Sequence, residues 1–462
     1  MTRGEYRPGA SLRPPTRVAA AARIGVAALA LLIAGNTARA TVYEASPADY
    51  RESLALLRPG DTLRLAAGEY REGLALHRLS GAPGEPIVIT GPESGAPATF
   101  VARPDHNTVS IVDTQYVELR NLAFEGNNVP VDAVKAEGHA SFAHHITLEN
   151  LTIRGHGNNQ QIVGISTKCP AWKWVIRGNT IVGAGTGMYL GDSNGNAPFV
   201  AGLIERNLIV DSTGYSLQIK HQVERPELAG IPVGRSQTII RHNVFAKANS
   251  RAPEAPRPSV LVGHFPPTGR GADDFYVIYG NFFYQNRKEA LFQGEGNVAL
   301  YANVLVNDFA DGLHIQPHND IPRRIVVAYN TILAKGAGIA VSLRDGSARY
   351  RRDVSANAVF AETPVTAAGA YRNLAAPLAD APSYLANAFA APPDLDLHPK
   401  ASWSGLVPGT MIARQPFPDW SRDFDGEPRA AATVGAYGKS ATSGWKLQIG
   451  RKEAASGEGH PR

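Results

Sequence analysis

A chain of 462 residues with 46 glycines and 33 prolines is long enough to bury a sizeable core and is rich in turn formers. Its formal charge of +5 is concentrated in residues 1–40, which hold six Arg and one Glu, so the remainder is near neutral and gives no basis for a nucleic-acid partner. Cys169 is the only cysteine, which excludes an internal disulfide and leaves stability to packing.

In chain order, Arg3, Arg7, Arg13, Arg17 and Arg23 precede an apolar run from Ile24 to Ala34, and Ala38-Arg39-Ala40 places small residues where a signal peptidase reads. The run is short for a membrane span. Residues 1–40 are therefore expected to be a cleaved signal peptide, with the mature protein periplasmic or secreted and free of the membrane. Ser46-Pro47-Ala48-Asp49 supplies an N-cap, a first-turn proline and an acidic residue. It predicts a capping helix over 46–58, with Tyr50, Leu54 and Leu57 on one face. PGDTLRLAAGEY from Pro59 reads as turn, strand and turn, and PIVITG from Pro86 begins a stack.

Nine similar segments then follow, ending in Asn121, Asn150, Asn179, Asn207, Asn243, Asn281, Asn303, Asn330 and Asn357, with gaps of 29, 29, 28, 36, 38, 22, 27 and 27 residues. Each is a short alternating run of Val, Ile, Thr and Phe broken by Gly and Asn, which fits stacked strands better than a helical repeat. The expectation is an all-β parallel solenoid over 41–438 whose asparagines form a ladder satisfying turn backbone. After about Thr363 the period stops, and residues 364–438 are expected to close the helix end or fold back along its outside. Residues 439–462 hold five basic and two acidic side chains among Gly and Ser and read as a flexible tail.

Between the Asn segments lies a second strand series: GISTKC at Gly164, GMYLGD at Gly187, SLQIKH at Ser216, SVLVGH at Ser259, ALFQGE at Ala290, GLHIQPH at Gly312 and GIAVSLR at Gly338. Alternation puts Ile165, Leu190, Leu217, Ile219, Val262, Leu313, Ile315 and Val341 inward. It puts Ser166, Lys168, Tyr189, Gln218, Lys220, His314 and Gln316 outward. The two longest gaps carry insertions around GIPVGRSQ, SRAPEAPRPS and PPTGRGADD, and solenoid insertions commonly wall a groove.

An acidic glycan can be cleaved at such a groove by β-elimination. The uronate carboxylate is neutralised, a base removes the C5 proton, and the leaving oxygen takes a proton. A lysine among other cations can be the base, and Lys220 beside His221, Arg225 and Lys168 suits the role, with His264 on the next coil as acid or carboxylate partner. Tyr189 or Tyr215 can donate a proton or stack on a sugar. Substrate contacts are expected from Lys168, Tyr189, Gln218, His314, Gln316 and His318. The plain alternative is that Lys220 and Lys168 are ordinary solvated side chains. Asp192-Ser193-Asn194-Gly195-Asn196 reads as a turn rather than a calcium loop, and no residues have metal-site spacing.

The helix with PGDTLRLAAGEY, the GAPGEPIVITG segment from Gly81 and the Asn-ended coils resemble the secreted right-handed parallel β-helix superfamily that includes pectate lyases. The opening is most similar to the alginate lyase and chondroitinase B group. DLDLHPKASWSG from Asp394 and DFDGEPRAAATVGAY from Asp423 resemble the closing segment of exported β-helix proteins. The resemblance implies a right-handed β-helix and a polysaccharide lyase, with an acidic polysaccharide as partner and a monomer. Lys220 falls where that group carries its base lysine, and His264 where it has an Arg-His pair. The arginine's position is Gly263, and Thr213, Tyr215 and Leu217 stand where acidic calcium ligands precede the lysine, so no cofactor is expected and calcium lacks its carboxylates. A non-catalytic glycan-binding or envelope protein, a glycoside hydrolase or an epimerase are the rival expectations on this fold.

Overall fold

A computed structural model describes residues 40–251, 255–344, 346–400, 415–429, 433–439 and 444–452. The expected signal peptide, 1–40, lies outside the described residues except for Ala40, as do 440–443 and 453–462 of the expected tail. The described residues from Val42 to Ala376 wind as a right-handed parallel β-helix with three rows of strands. The first row runs from Val42–Ala45 through Thr114–Arg120 and Gln237–Arg241 to Arg352–Ser355. The second row holds the strands that follow each corner asparagine, such as Thr180–Val182 and Val304–Asn307. The third holds Val163–Thr167, Thr186–Leu190, Leu217–Ile219, Val260–Val262, Phe292–Gly294 and Leu313–Ile315. Two long strands, Thr331–Val341 and Ala358–Thr366, join the second and third rows.

Stacking in register explains why short, β-branched segments suffice. In the first row Leu119, Leu148, Ile176, Ile204, Ile240, Ile278, Leu300, Val327 and Val354 lie one above another, and all are buried. Each such side chain contributes roughly 1.5–3 kcal/mol by leaving water. The third-row positions expected to face inward, from Ile165 to Val341, are buried as well. No helix among the described residues is long and apolar enough to cross a membrane.

Three expectations change. The helix over 46–58 shortens to Tyr50–Leu54, after Asp49 has accepted bonds from the Ser46 amide and hydroxyl. Tyr50, Leu54 and Leu57 still face the core, Tyr50 edge-on to Tyr70 and Phe100. The ladder is also offset at its start. Asn179 stacks on Asn207, then Asn243, Asn281, Asn303, Asn330 and Asn357, through amide contacts of 2.9–3.0 Å. It ends on Asn373, which lies beyond the nine repeats. Asn121 and Asn150 sit one position earlier. They occupy the left-handed corner themselves (φ +55° and +53°), where later coils place Gly178, Arg206 or His242. Asn150 bonds Asn121 outside the core at 2.7 Å, and Leu151 opens the ladder by donating its N–H to Asn179 Oδ1 at 2.9 Å.

The third change concerns the C-terminal segments. Phe417, Trp420, Phe424, Val434, Tyr437 and Leu447 bury the outward faces of Phe275, Val277, Tyr279 and Tyr301, so the closing region folds back along the outside of the first row. Residues 444–452 are held there too, against the expectation of a loose tail. Leu447 is buried, Lys452 Nζ donates to Gly280 O and Phe424 O, and Arg451 donates to Asn150 and Gly178. Apolar and backbone partners outweigh the polar composition that suggested a tail.

Candidate active-site groove

The exterior of the third row carries the candidate site. Hydrogen bonding continues one residue past each strand, from Lys168 N, Lys220 N, Gly263 N, Glu295 N and Gln316 N to carbonyls on the preceding coil. Lys168, Gly191, Lys220, Gly263, Glu295 and Gln316 therefore form one file, a coil apart, at about 4.8 Å per step. The neighbouring outward file holds Ser166, Tyr189, Gln218, Leu261, Gln293 and His314.

Tyr189 organises the two lysines. The Lys168 ammonium lies 3.2 Å from its ring centroid and the Lys220 ammonium 5.8 Å, so an aromatic face attracts both cations. Gly191, between them in the file, makes this possible. It has φ +95°, and a Cβ there would stand 3.2 Å from Lys220 Cβ. Tyr189 Oη lies 3.1 Å from Ser193 Oγ. Burial, with Lys135 and Lys220 nearby, lowers the Lys168 ammonium to about 8, although Asp132 and Asp192 oppose the shift.

His221 packs against Gly195 in the Asp192–Asn196 turn, which closes through Asp192 Oδ1 accepting from Ala197 N at 3.0 Å. Burial and Lys220 lower its pKa. His264, one coil on, is buried, with Nε2 3.3 Å from Asp320 Oδ2. Burial and the Arg323 guanidinium lower it to about 4, so it is neutral near pH 7. This corrects the expectation that His264 could neutralise a substrate carboxylate.

Arg225 is a second correction. Its side chain is 1 % exposed and paired with the buried Asp274, and it also donates to Pro232 O. Asp274 in turn accepts from Ser236 N at 2.8 Å. The pair ties 222–236 to 265–274 and keeps the Arg225 guanidinium buried, away from any substrate. Part of that insertion also lies elsewhere, since Ile231 and Leu228 pack on Trp172. Arg225→Ala is expected to destabilise the fold by about 3 kcal/mol by stranding Asp274, read from the denaturant midpoint, with little change for a groove variant such as His318→Ala.

The remaining expected residues divide. Ser166 and Gln218 point outward by register but are buried. His318 is exposed and close enough to act electrostatically on His221 and Glu295. His314 lies 3.0 Å from Asp311 Oδ2. Together with Gln316 it sits three coils beyond Lys220, about 14 Å along the stack. Glu295 was not singled out for this site, yet it stands in the Lys220 file. Its carboxyl accepts from Asn319 N at 2.7 Å and is raised by burial, against the pull of His318 and Lys220. Arg323 was missed as well; it clamps the carbonyls of Phe265 and Pro266 at 3.0 and 2.9 Å. Glu295 in ALFQGE carried a legible signal, its place in the file; Arg323 carried none.

Two departures from the resemblance acquire physical reasons. A Cβ on Gly263 would lie 2.3 Å from His221 N and 2.7 Å from His221 Cα, so the close approach of adjacent coils excludes any side chain there. Thr213 and Leu217 are buried, Leu217 within the core. That stretch does not fit a calcium ion, which needs several oxygen ligands with carboxylates among them.

No family model matches this chain, and no curated protein matches it. Among solved structures it is similar to an alginate lyase from Paenibacillus sp. str. FPU-7, at 17% identity over 65% of this chain and 95% of that one, TM-score 0.47. It is also similar to a lacto-N-biosidase from Eubacterium ramulus, at 12% over 73% and 68%, TM-score 0.49. The pectate lyase Pel9A is 14% identical over 87% and 96%, TM-score 0.43.

Proposed function

We propose that this protein is a polysaccharide lyase that cleaves uronate-containing glycans by β-elimination in the third-row groove. The observation that carries the proposal is the placement of two lysine ammoniums on one tyrosine ring, Lys168 at 3.2 Å and Lys220 at 5.8 Å. Lys168 neutralises the uronate carboxylate, which acidifies the C5 proton. Lys220 Nζ takes that proton. The electron pair forms the C4–C5 double bond as the C4–O bond breaks, and the Tyr189 hydroxyl protonates the leaving oxygen. His221, whose pKa burial lowers, offers a hydrogen bond to the sugar without charge.

The rival reading is a non-catalytic glycan-binding protein, favoured by Gly263 where the resemblance places an arginine. Incubation with alginate, pectate and glycosaminoglycans, followed by the ultraviolet absorbance of an unsaturated uronate, separates the two. Absorbance growing with one of these polymers supports the lyase; none from any of them sinks it.

The reading also sets a pH limb. Lys168 serves as a cation, so activity is expected to fall as pH rises through about 8. In Lys168→Arg, whose guanidinium keeps its charge, that alkaline limb is expected to disappear from the kcat/KM profile.

A further inference from the structure

A cleft of about 420 Å³ adjoins the site on the side of the N-terminal coils, sharing Lys168 and Tyr189 with it. Its volume lies within the roughly 300–1,000 Å³ typical of ligand sites. Asn107, Asp132, Lys135, Gln161 and Ser193 line the cleft as well. The walls are tied across coils. Asn107 Oδ1 accepts from Asp132 N at 3.1 Å, and its amide donates to Glu137 at 2.8 Å. Asp132 Oδ1 accepts from Val163 N at 2.8 Å, and Oδ2 lies 3.5 Å from Lys135 Nζ. Asp132 is thereby buried and anchored, while Lys135 stays partly exposed at 27%.

We propose that this cleft binds the stretch of acidic glycan reaching from the reacting sugar toward the N-terminal coils, with Lys135 and Lys168 taking successive uronate carboxylates. The inference rests on the lyase reading for its substrate class and adds a recognition site outside the reacting centre. Lys135 pairs in register with Ser166, and Ser166 with Tyr189. A chain lying along the stack thus meets Lys135, then Lys168, then Lys220, over three coils or about 14 Å. Hydrogen-bonded walls fix the cleft before the ligand arrives, which limits the ordering cost of binding. The cleft also selects length, since a disaccharide seated at Lys220 does not reach Lys135.

Calorimetric titration tests this without turnover. Saturated tetrasaccharides of galacturonate, mannuronate and guluronate are titrated into the full chain carrying Lys220→Ala, alone or with Lys135→Gln or Lys135→Arg. The tetrasaccharide that binds is expected to bind about tenfold more weakly with Lys135→Gln, the loss of one solvent-facing charge-assisted contact. Lys135→Arg is expected to restore affinity, and a carboxyl-reduced tetrasaccharide to show no dependence on residue 135. Equal affinity in all three proteins, or no tetrasaccharide binding, overturns the proposal. Unsaturated product from the parent protein together with unaltered affinity in Lys135→Gln removes the cleft and leaves the lyase. Binding that depends on Lys135 with no product from any glycan does the reverse.

Discussion

Lys220→Ala is expected to reduce formation of unsaturated uronate by about a hundredfold to ten-thousandfold while leaving the unfolding midpoint within error. General-base removal costs roughly 10²–10⁴ in rate, and Lys220 is the amine that completes the pair on Tyr189. Its side chain is half-buried at the groove and lies outside the hydrophobic core, so its truncation leaves no core cavity. A parallel Lys168→Ala variant is expected to lose less, because it removes carboxylate neutralisation and leaves the base. If Lys168→Ala is the more damaging, the two roles are exchanged. If neither matters, both lysines are ordinary surface cations.

The second large effect concerns the ladder. Asn281 is fully buried, donates to Asn303 Oδ1, Ile240 O and Tyr279 O, and accepts from both the backbone and side-chain amides of Asn243. Asn281→Ala leaves several of these groups buried without a partner, each costing about 1–3 kcal/mol. The expected loss is about 4 kcal/mol in denaturant unfolding. Asn121→Ala is expected to cost under about 1 kcal/mol, because the Asn121 amide pairs outside the core. Equal losses at the two positions would contradict the offset in the ladder.

That offset shows how far the sequence could be read. The fold was legible because the chemistry of a coil is local: β-branched alternation, a left-handed corner and an amide. The same letters misled at Asn121 and Asn150. Asparagine tolerates the left-handed corner as well as the inward ladder position, and only the placement of Leu122 and Leu151 distinguishes them. The outward face was legible by period two, so Lys168, Tyr189 and Lys220 emerged together. Arg225 was misassigned because its partner Asp274 lies 49 residues on, and sequence spacing does not reveal such a pair. Arg323 and Asp320 were missed for the same reason, since they reach His264 across two coils. Composition misread 444–452 because Leu447 and Lys452 take their partners from distant coils.

The central claim is that bond cleavage in this groove is elimination. The most direct test is mass spectrometry of oligosaccharide products formed from alginate, pectate or a glycosaminoglycan in water enriched with heavy oxygen. The account predicts product pairs whose masses sum to that of the substrate, with an unsaturated non-reducing end and no heavy oxygen incorporated. Product pairs whose masses sum to that of the substrate plus one solvent water, with the heavy isotope at the new reducing end, would contradict it and make the protein a hydrolase.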